Sequence, residues 1–429
     1  MGLMLPSRRL LARGAPWWRR PEHLLDGVAP GLFVDIVGRR CVLGGAAAPL
    51  ASVMGVTSGA GKTYCDADGT IKTAGANEAR IDWSGGAAEL LLEGAATNLM
   101  VRSAQLDDVG WTKLRITVDQ DAATAPDGTV TADGMVEDAT TASHAEQQFV
   151  SFTSGTTYTL SVYVKPAGRS IAWLYLPATA FGSGNAYFNL TTGAVGTNVG
   201  AVTATMTPLA GGWWRCAISK TATATAAGSV GFGAAATDGV SSYAGASLAC
   251  LYAWGAQLEA GAVATSYIPT SGSAVTRPTD LCQLTAGAAA AIQGASAGIA
   301  WRGTIPVALT GQQIVGLGDG LNLIRATNSP NTRVAIFNAA SALALGVGTD
   351  VIPGAIGLCA GWGASGTRLR VNGGGASAAQ TNSWPTTVFI GASTGLATGQ
   401  VLRLRQLVGW TLTDQPSAAG VVAQARLAA

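Results

Sequence analysis

A regular series of short apolar stretches, separated by turn signals, is the sequence feature that most constrains the fold of this chain. Residues 98–281 hold roughly eight strand candidates of this kind. Ala-Gly, Thr-Gly and Gly-Gly pairs lie between them, and such pairs favour tight turns. Many short strands at close spacing predict a β-sandwich or jelly roll. The clearest candidates are Thr157–Lys165, Ile171–Leu176, Ala186–Leu190, Trp213–Ile218 and Leu248–Trp254.

The segment Leu251–Leu258 is predicted to be a half-buried strand, because its bulky apolar side chains occupy every second position. Glu259–Gly261 follows as a predicted turn. Pro269 then disfavours helix at Ile268, so the chain is expected to run out extended. The segment is therefore interpreted as the closing strand of a sandwich.

Residues 283–429 repeat this pattern with different strands, which predicts a second sandwich. Asn372-Gly373 is typical of a tight turn. Asp414–Ala428 has the pattern of a short helix. The strand candidates are Gln313–Leu317, Leu321–Arg325, Thr332–Phe337, Thr367–Val371, Val388–Gly391 and Val401–Trp410.

Composition supports an all-β chain. Of 429 residues, 58 are glycine and only 12% are charged, so long helices rich in Leu, Glu and Lys are disfavoured. Hydrophobic residues make up 48%, yet no apolar run reaches the roughly 18 residues of a membrane span. We therefore predict two to four domains and no membrane insertion.

Net charge and cysteine usage exclude other classes of protein. The formal net charge is +2, which gives no overall attraction to nucleic acid. The six cysteines contain no C-x-x-C pair, so a disulfide framework or a zinc site is disfavoured and most are expected to be buried small hydrophobes. This usage fits assembly in a reducing cytoplasm.

Residues 1–62 differ from the rest of the chain. They begin with a basic segment that carries Trp17 and Trp18 between two prolines, followed by Arg19 and Arg20. No secretory signal is present, since no apolar region follows the arginine pair. We predict a segment that docks onto a partner through Trp17, Trp18, Arg19 and Arg20; the alternative is a disordered tail.

Residues 63–97 are predicted to form a β-hairpin connector. Two apolar-polar stretches flank Ala67-Asp68-Gly69, and Asp-Gly is a strong turn dipeptide. Asp66–Gly69 also resembles the start of a calcium loop, but it lacks the later ligands. A plain turn is the better interpretation.

Catalytic motifs are not supported by the sequence. Gly55–Thr63 imitates a phosphate-binding loop, but Val56 occupies the position of the first glycine and a hairpin follows. Only His23 and His144 could serve a hydrolytic triad, and His144 is interpreted as a polar position near a strand start. No pair of carboxylates stands out for glycoside hydrolysis. We therefore predict no catalytic residue, no metal site, no cofactor and no enzymatic activity.

An ordered series of segments resembles the carbohydrate-binding-like jelly roll of phage and prophage tail-fibre and head-spike proteins. Similar spikes occur on gene transfer agents. Each segment by itself is weak, but the order is specific. The segments are Asn98-Leu99, Trp111-Thr112, Ala125–Thr129, Tyr158–Lys165, Gly212–Arg215, Trp254–Gly261, Thr265–Thr270 and Val275–Asp280.

Residues 282–429 resemble a concanavalin-like, laminin-G-type jelly roll. The support lies in Gly316–Gly320, Gly361–Gly363, Thr367–Gly373 and Leu404–Trp410. The resemblances together imply an all-β protein with an N-terminal docking segment and two β-sandwich (jelly-roll) domains, at 98–281 and 282–429.

The resemblance implies a virion surface projection that attaches a phage-like particle to host-surface polysaccharide. Its implied partners are other virion proteins, through the N-terminal segment, and copies of itself, as a homo-oligomer such as a trimer or pentamer. The alternative is a structural adaptor or spike base that anchors another receptor-binding protein and binds no glycan.

Glycan binding needs aromatic faces for sugar C–H groups and polar side chains for hydroxyls. Each aromatic candidate has the alternative of packing a sandwich core. The candidates are Trp173, Tyr175, Phe181, Asn185 and Tyr187 in the middle module, and Trp362 and Trp384 in the last.

Overall fold

The computed structural model describes the greater part of the chain in twelve ranges. These are residues 16–293, 296–306, 313–317, 322–327, 333–337, 343–348, 354–363, 366–372, 374–378, 388–390, 400–413 and 416–426.

The chain is all-β, as predicted, with antiparallel strands throughout and three short helices in its described part. Four strands precede residue 60: β1 (Leu32–Asp35), β2 (Arg40–Leu43), β3 (Ala46–Ala48) and β4 (Met54–Thr57). Short 3₁₀ turns occupy Trp17–Arg19, Pro21–His23, Leu50–Ser52 and Ala210–Gly212. The helices are α1 (Ala178–Phe181), α2 (Ala286–Ala290) and α3 (Ala418–Arg426).

The middle of the chain contributes nineteen strands. They are β5 (Lys62–Cys65), β6 (Ile71–Ala74), β7 (Ile81–Asp82), β8 (Glu89–Glu93), β9 (Ala96–Asn98), β10 (Thr112–Leu114), β11 (Ile116–Thr124), β12 (Val130–Glu137), β13 (Thr141–Phe152), β14 (Thr157–Pro166), β15 (Ile171–Tyr175), β16 (Asn185–Asn189), β17 (Ala194–Val199), β18 (Thr203–Pro208), β19 (Trp214–Thr221), β20 (Ala226–Ala235), β21 (Ser242–Ala244), β22 (Ala249–Ala260) and β23 (Val275–Arg277).

The described part of the remaining chain holds eleven strands. They are β24 (Leu281–Leu284), β25 (Ser296–Ile305), β26 (Gln313–Leu317), β27 (Asn322–Thr327), β28 (Arg333–Phe337), β29 (Leu343–Gly348), β30 (Gly354–Gly363), β31 (Gly366–Val371), β32 (Gly374–Ala378), β33 (Val388–Ile390) and β34 (Val401–Leu412).

The chain divides into two compact units. The first combines residues 1–55, 282–393 and 403–429, and the second combines residues 56–281 and 394–402. In the second unit, one sheet runs β10-β13-β20-β15-β16-β17 and the other runs β11-β12-β22-β14-β19-β18. Buried residues of both sheets share one hydrophobic cluster, including Leu174 and Phe232 from the first sheet and Leu160 and Ile218 from the second. The middle module is therefore a two-sheet sandwich.

The first unit is built on a sheet in which β3-β2-β1-β34-β25-β30-β31-β32 are neighbours. Its buried cluster joins Phe33 of β1 and Trp410 of β34 to Val421 of α3. A further sheet places β29, β28, β27, β26 and β33 side by side.

The N-terminal strands differ from the predicted organisation, in which residues 1–62 formed a separate docking segment. All four residues of β1 are buried, and β1 pairs with β2 on one side and with β34 on the other. A four-residue apolar strand cannot bury itself alone, so it completes a sheet formed by strands nearly 400 residues away.

Strand β22 corrects the expected half-buried pattern of Leu251–Leu258. Every residue of that stretch except Tyr252 is buried, because Leu251 and Leu258 belong to the sandwich core while Trp254 packs in a second cluster with Tyr163 and Tyr267. Gly255, at φ +64°, produces a bulge that interrupts the alternation. The predicted hairpin is present as β5 and β6, and Gly69 at φ +78° closes its turn.

Candidate functional site

A pocket of about 510 Å³ opens in the second unit. Four aspartates, Asp107, Asp121, Asp127 and Asp133, contribute to its lining, together with Gln105, Gln120 and several threonines. Trp254 and Tyr267 contribute only their edges to the lining, because 4% and 3% of their surfaces are exposed. Its volume falls in the range of small-molecule sites, and it combines an apolar surface with converging polar groups.

Asp133 builds two walls of this pocket. Its side chain is buried, and it accepts hydrogen bonds from the backbone N–H of Leu106 at 2.7 Å and of Asp121 at 3.0 Å. Asp121 adopts a left-handed backbone with φ +53°. One carboxylate on β12 thus fixes the loop that carries Gln105 and Asp107 and the irregular part of β11 that carries Asp121.

A chain of hydroxyl groups lines a third side. Trp254 Nε1 donates to Thr131 Oγ1 at 3.2 Å, and the hydroxyls of Thr131 and Thr129 lie 2.7 Å apart. Thr129 Oγ1 donates to Asp127 Oδ1 at 2.6 Å. Because the single hydroxyl proton of Thr129 goes to the carboxylate, Thr131 donates to Thr129, and the chain runs from the tryptophan N–H to Asp127.

The Ala125–Thr129 turn sets the position of Asp127. The Ala125 N–H donates to the Thr129 carbonyl at 2.8 Å, and the Gly128 N–H donates to the Ala125 carbonyl at 3.0 Å. Gly128 has φ +86°, which a residue with a Cβ rarely adopts. Asp127 Oδ1 also accepts the Thr129 N–H at 2.9 Å, so the side chain is held by its own turn.

The two aromatic residues of the lining belong to a compact cluster. The Trp254 and Tyr267 rings lie 4.6 Å apart, and Tyr163 lies 5.4 Å from Trp254. The Tyr267 hydroxyl lies 2.7 Å from Ser103 Oγ. Burial raises the pKa of Tyr267, so its hydroxyl stays protonated at physiological pH.

The electrostatics of the pocket are negative. Burial, together with neighbouring Asp107 and Asp121, raises the pKa of Asp133 against the lowering effect of its two backbone hydrogen bonds. No Lys, Arg or His belongs to the described lining. Within the described residues, no three His, Cys, Asp or Glu side chains are grouped so that they could hold one metal ion.

The sequence-predicted glycan residues of the middle module lie elsewhere, on the sheet of β15 and β16. The rings of Trp173 and Tyr175 stack at 4.5 Å, and those of Trp173 and Tyr187 stack at 6.3 Å. The Tyr175 hydroxyl donates to Gln147 Oε1 at 2.8 Å. We call Trp173, Tyr175 and Tyr187 the ring ladder. Its members mostly contact one another.

The other candidates separate. Phe181 lies in the core against Phe152, with ring centroids 4.9 Å apart. Asn185 Oδ1 and Trp173 Nε1 are buried atoms without a hydrogen-bond partner among the described residues. Trp362 occupies β30 opposite Thr367, whereas Trp384 lies outside the described residues.

The predicted docking residues flank the first unit's core. Trp17 and Trp18 are half-buried and pack on its buried cluster, while Arg19 and Arg20 are exposed. The Arg40 guanidinium lies 3.9 Å from the centre of the Trp17 ring. Trp410 Nε1 donates to the His23 carbonyl at 3.2 Å, which ties this segment to β34.

His144 and Glu146 correct another expectation. His144 lies three residues after the start of β13, as the sequence predicts, but its side chain is fully buried instead of exposed, and so is that of Glu146; the two residues pair with Ala234 and Phe232 of β20. No described group forms a hydrogen bond with either side chain, although His144 Nε2 lies 3.4 Å from Asp138 Oδ1. Burial raises the pKa of Glu146 to about 8.

Sequence reasoning missed the pocket, although part of it was visible. Ala125–Thr129 belongs to the series of segments that resembles the tail-fibre and head-spike module, but nothing in the sequence marked it as a wall of a site. Trp254 and Tyr267 were assigned to a closing strand and its extension. The sequence could not show that these residues lie close together in space. Residues 105, 127 and 267 meet only through the pairing of β12 with β22.

Comparisons with known proteins gave limited similarity. No protein-family model matches the chain, and no curated protein matches it. Among solved structures, the receptor-binding domain of botulinum neurotoxin type G aligns over 35% of this chain and 40% of its own, at 6% identity and a TM-score of 0.26. The binding domain of botulinum neurotoxin serotype D aligns over 30% of this chain and 36% of its own, at 9% identity and a TM-score of 0.23. The chain thus spans less than half of either domain.

The described helices span four, five and nine residues. Among them, none has the length and apolar character needed to cross a bilayer.

Proposed function

We propose that this chain is a binding protein for a surface glycan and that the pocket beside Trp254 is the binding site. The observation that carries the proposal is the combination of two aromatic edges, an oriented hydroxyl chain and free carboxylate oxygens around about 510 Å³. Sugars present apolar C–H faces and hydroxyl donors, which match an aromatic surface and acceptor-rich walls.

In this proposal the pocket binds the glycan without reacting with it. The carboxylates accept hydrogen bonds from sugar hydroxyls, and the exposed edges of Trp254 and Tyr267 add apolar contact. Asp133 keeps the two loops in place before the ligand arrives, which lowers the ordering cost of binding. No catalytic step is proposed.

A glycan array probed with the full chain tests this function. We expect binding to at least one oligosaccharide, and at least tenfold weaker binding by Asp127→Ala and by Thr131→Val, which ends the hydroxyl chain. Trp173→Phe in the ring ladder is the matched control and should bind normally. All variants should keep the wild-type circular dichroism spectrum and melting temperature within a few degrees.

If the ladder variant loses glycan binding and both pocket variants retain it, the binding site lies on the sheet of β15 and not in the pocket. Silence of the wild-type chain on every glycan would refute glycan binding.

The biological setting of the proposal is a virion surface projection. The resemblance to tail-fibre and head-spike modules supports it, and so does a β-rich chain with few charges. Attachment of residues 1–62 to a phage-like particle and display as a homo-oligomer complete this proposal, because repeated weak glycan contacts give firm adhesion. Replacing the exposed Arg19 and Arg20 by alanine tests docking without removing β1 from its sheet, and particles that keep their projections with this double variant would contradict the docking assignment.

The structural adaptor is the second candidate, and strand β17 favours it. All six of its residues are exposed, it carries no charged residue and it ends its sheet. Such an edge is a template for pairing with another chain. If the chain is an adaptor, the glycan array should be silent and the chain should associate with another protein. Val195→Pro in β17 should abolish this association, whereas Thr205→Pro in β18, the edge strand of the other sheet, should leave it intact.

A further inference from the structure

The pocket near Trp254 is lined by negatively charged side chains, and a neutral sugar has no charged group to pair with them. Asp107, Asp121, Asp127 and Asp133 all line it, and its described lining contains no cationic side chain. Asp127 Oδ1 is engaged by Thr129, whereas Oδ2 accepts no hydrogen bond from the described residues. The free pocket therefore holds mutually repelling carboxylates beside two aromatic edges.

A small metal ion does not fit this arrangement. A divalent cation needs several oxygen ligands within about 2.6 Å of one point. The described acidic side chains include no group of three that converges in this way. The negative charge is spread over the walls of a pocket of about 510 Å³, so its natural complement is an extended ligand with one cationic group.

We propose that the pocket selects a glycan carrying a free, protonated amine, that is, a hexosamine without its N-acetyl group. This inference rests on the proposed glycan-binding function. An ammonium group offers three donors and no acceptor, which suits walls dominated by carboxylate oxygens. The sugar hydroxyls donate to the Gln and Asp oxygens of the lining, and the sugar ring contacts the exposed edge of Trp254. Glycans with carboxylates are repelled.

Calorimetric titration of the full chain with a glucosamine tetramer and with an N-acetylglucosamine tetramer tests the selection. We expect the free amine to bind at least tenfold tighter, a difference of about 1.4 kcal/mol. Raising the salt concentration from 50 to 500 mM should weaken the amine ligand severalfold and leave the acetylated ligand almost unchanged.

Charge variants locate the effect. Asp127→Asn should reduce the preference for the amine by at least threefold without weakening the acetylated tetramer equally. Asp238→Asn is the matched control, because Asp238 lies outside the pocket lining and an asparagine keeps an acceptor for the Thr197 N–H. It should retain the wild-type preference.

The outcomes separate the two proposals. Equal or tighter binding of the acetylated tetramer overturns the amine selection and leaves glycan binding intact. Binding of neither tetramer, together with a silent array, refutes the proposed function itself. Calcium ions or tetralysine that bind as tightly as the glucosamine tetramer would also overturn the selection, because they would show a site for cations in general.

Discussion

At the scale of single residues, Glu146 is a buried group that disfavours the folded state of the second unit when it is ionised. It stands inside the sandwich with neither oxygen hydrogen-bonded by a described residue, and its nearest charged influences are Lys113, Asp133 and Asp107. Burial raises its pKa from the usual value near 4.5 to about 8. Glu146 is therefore largely protonated at neutral pH, and its ionised form disfavours the folded state.

Glu146→Gln should remove a pH dependence of stability. Because the folded pKa lies above the unfolded one, the wild-type chain keeps this stability below about pH 4.5 and loses it progressively until about pH 8. The loss is on the order of 5 kcal/mol if fully expressed. Urea unfolding between pH 5 and 9 measures it.

The expected result is a flatter stability profile for Glu146→Gln. Exposed Glu78→Gln, whose amide oxygen can still accept the Gly75 N–H, serves as the control and should follow the wild-type curve. Parallel profiles for all three proteins would show that Glu146 has a partner or that water reaches it.

At the scale of elements, glycines decide how closely β13 and β20 approach. A Cβ at Gly231 would lie 2.0 Å from the Glu146 carbonyl oxygen, and one at Gly233 would lie 2.3 Å from that of His144. The same two glycines stand opposite Tyr175 and Trp173 of β15. They therefore leave room for the ring ladder and permit the close strand pair.

Gly231→Ala should destabilise the second unit by about 3 kcal/mol, because the neighbouring backbone must shift to admit the methyl group. Gly55→Ala is the control: its Cβ would meet nothing within 4 Å and its φ is ordinary, so the change should stay within about 0.5 kcal/mol. Chemical denaturation measures both. Equal small effects would contradict the close approach of β13 and β20.

At the scale of the whole molecule, a buried ionic network holds distant segments of the second unit together. Arg80 lies 2.6 Å from Glu93 and 2.5 Å from Asp280, and Arg277 lies 2.8 Å from Glu93. Lys62 lies 2.5 Å from Asp280. These side chains are almost fully buried. Removing one charge therefore leaves its partners unpaired in a medium of low polarity.

Glu93→Gln should destabilise the second unit by about 3 to 5 kcal/mol, because Arg80 and Arg277 lose their shared carboxylate. Although burial by itself raises it, Arg277 and Arg80 hold the pKa of Glu93 well below its usual range. Its stabilising effect is thus present above about pH 4.5 and is lost as the pH falls. Thermal unfolding from pH 7 to pH 3 tests both points. A variant with wild-type stability at pH 7 would show that the network contributes no net stability.

The sequence by itself determined the strands and the turns, because alternation of side chains and glycine-containing turns act over a few residues. It indicated the hairpin of β5 and β6, most strands of the sandwich and the short helix near the C-terminus. It could not fix which candidate aromatic residues face a core, as Phe181 does, since that depends on sheet pairing.

Only the tertiary structure decided the partners of these elements. It joined β1 to β34 across nearly the whole chain, buried both faces of β22 and brought Gln105, Asp127 and Tyr267 around one pocket. Pairings between residues more than 100 positions apart leave no local pattern, because their free energy comes from burial and hydrogen bonds that exist only after the sheets have formed.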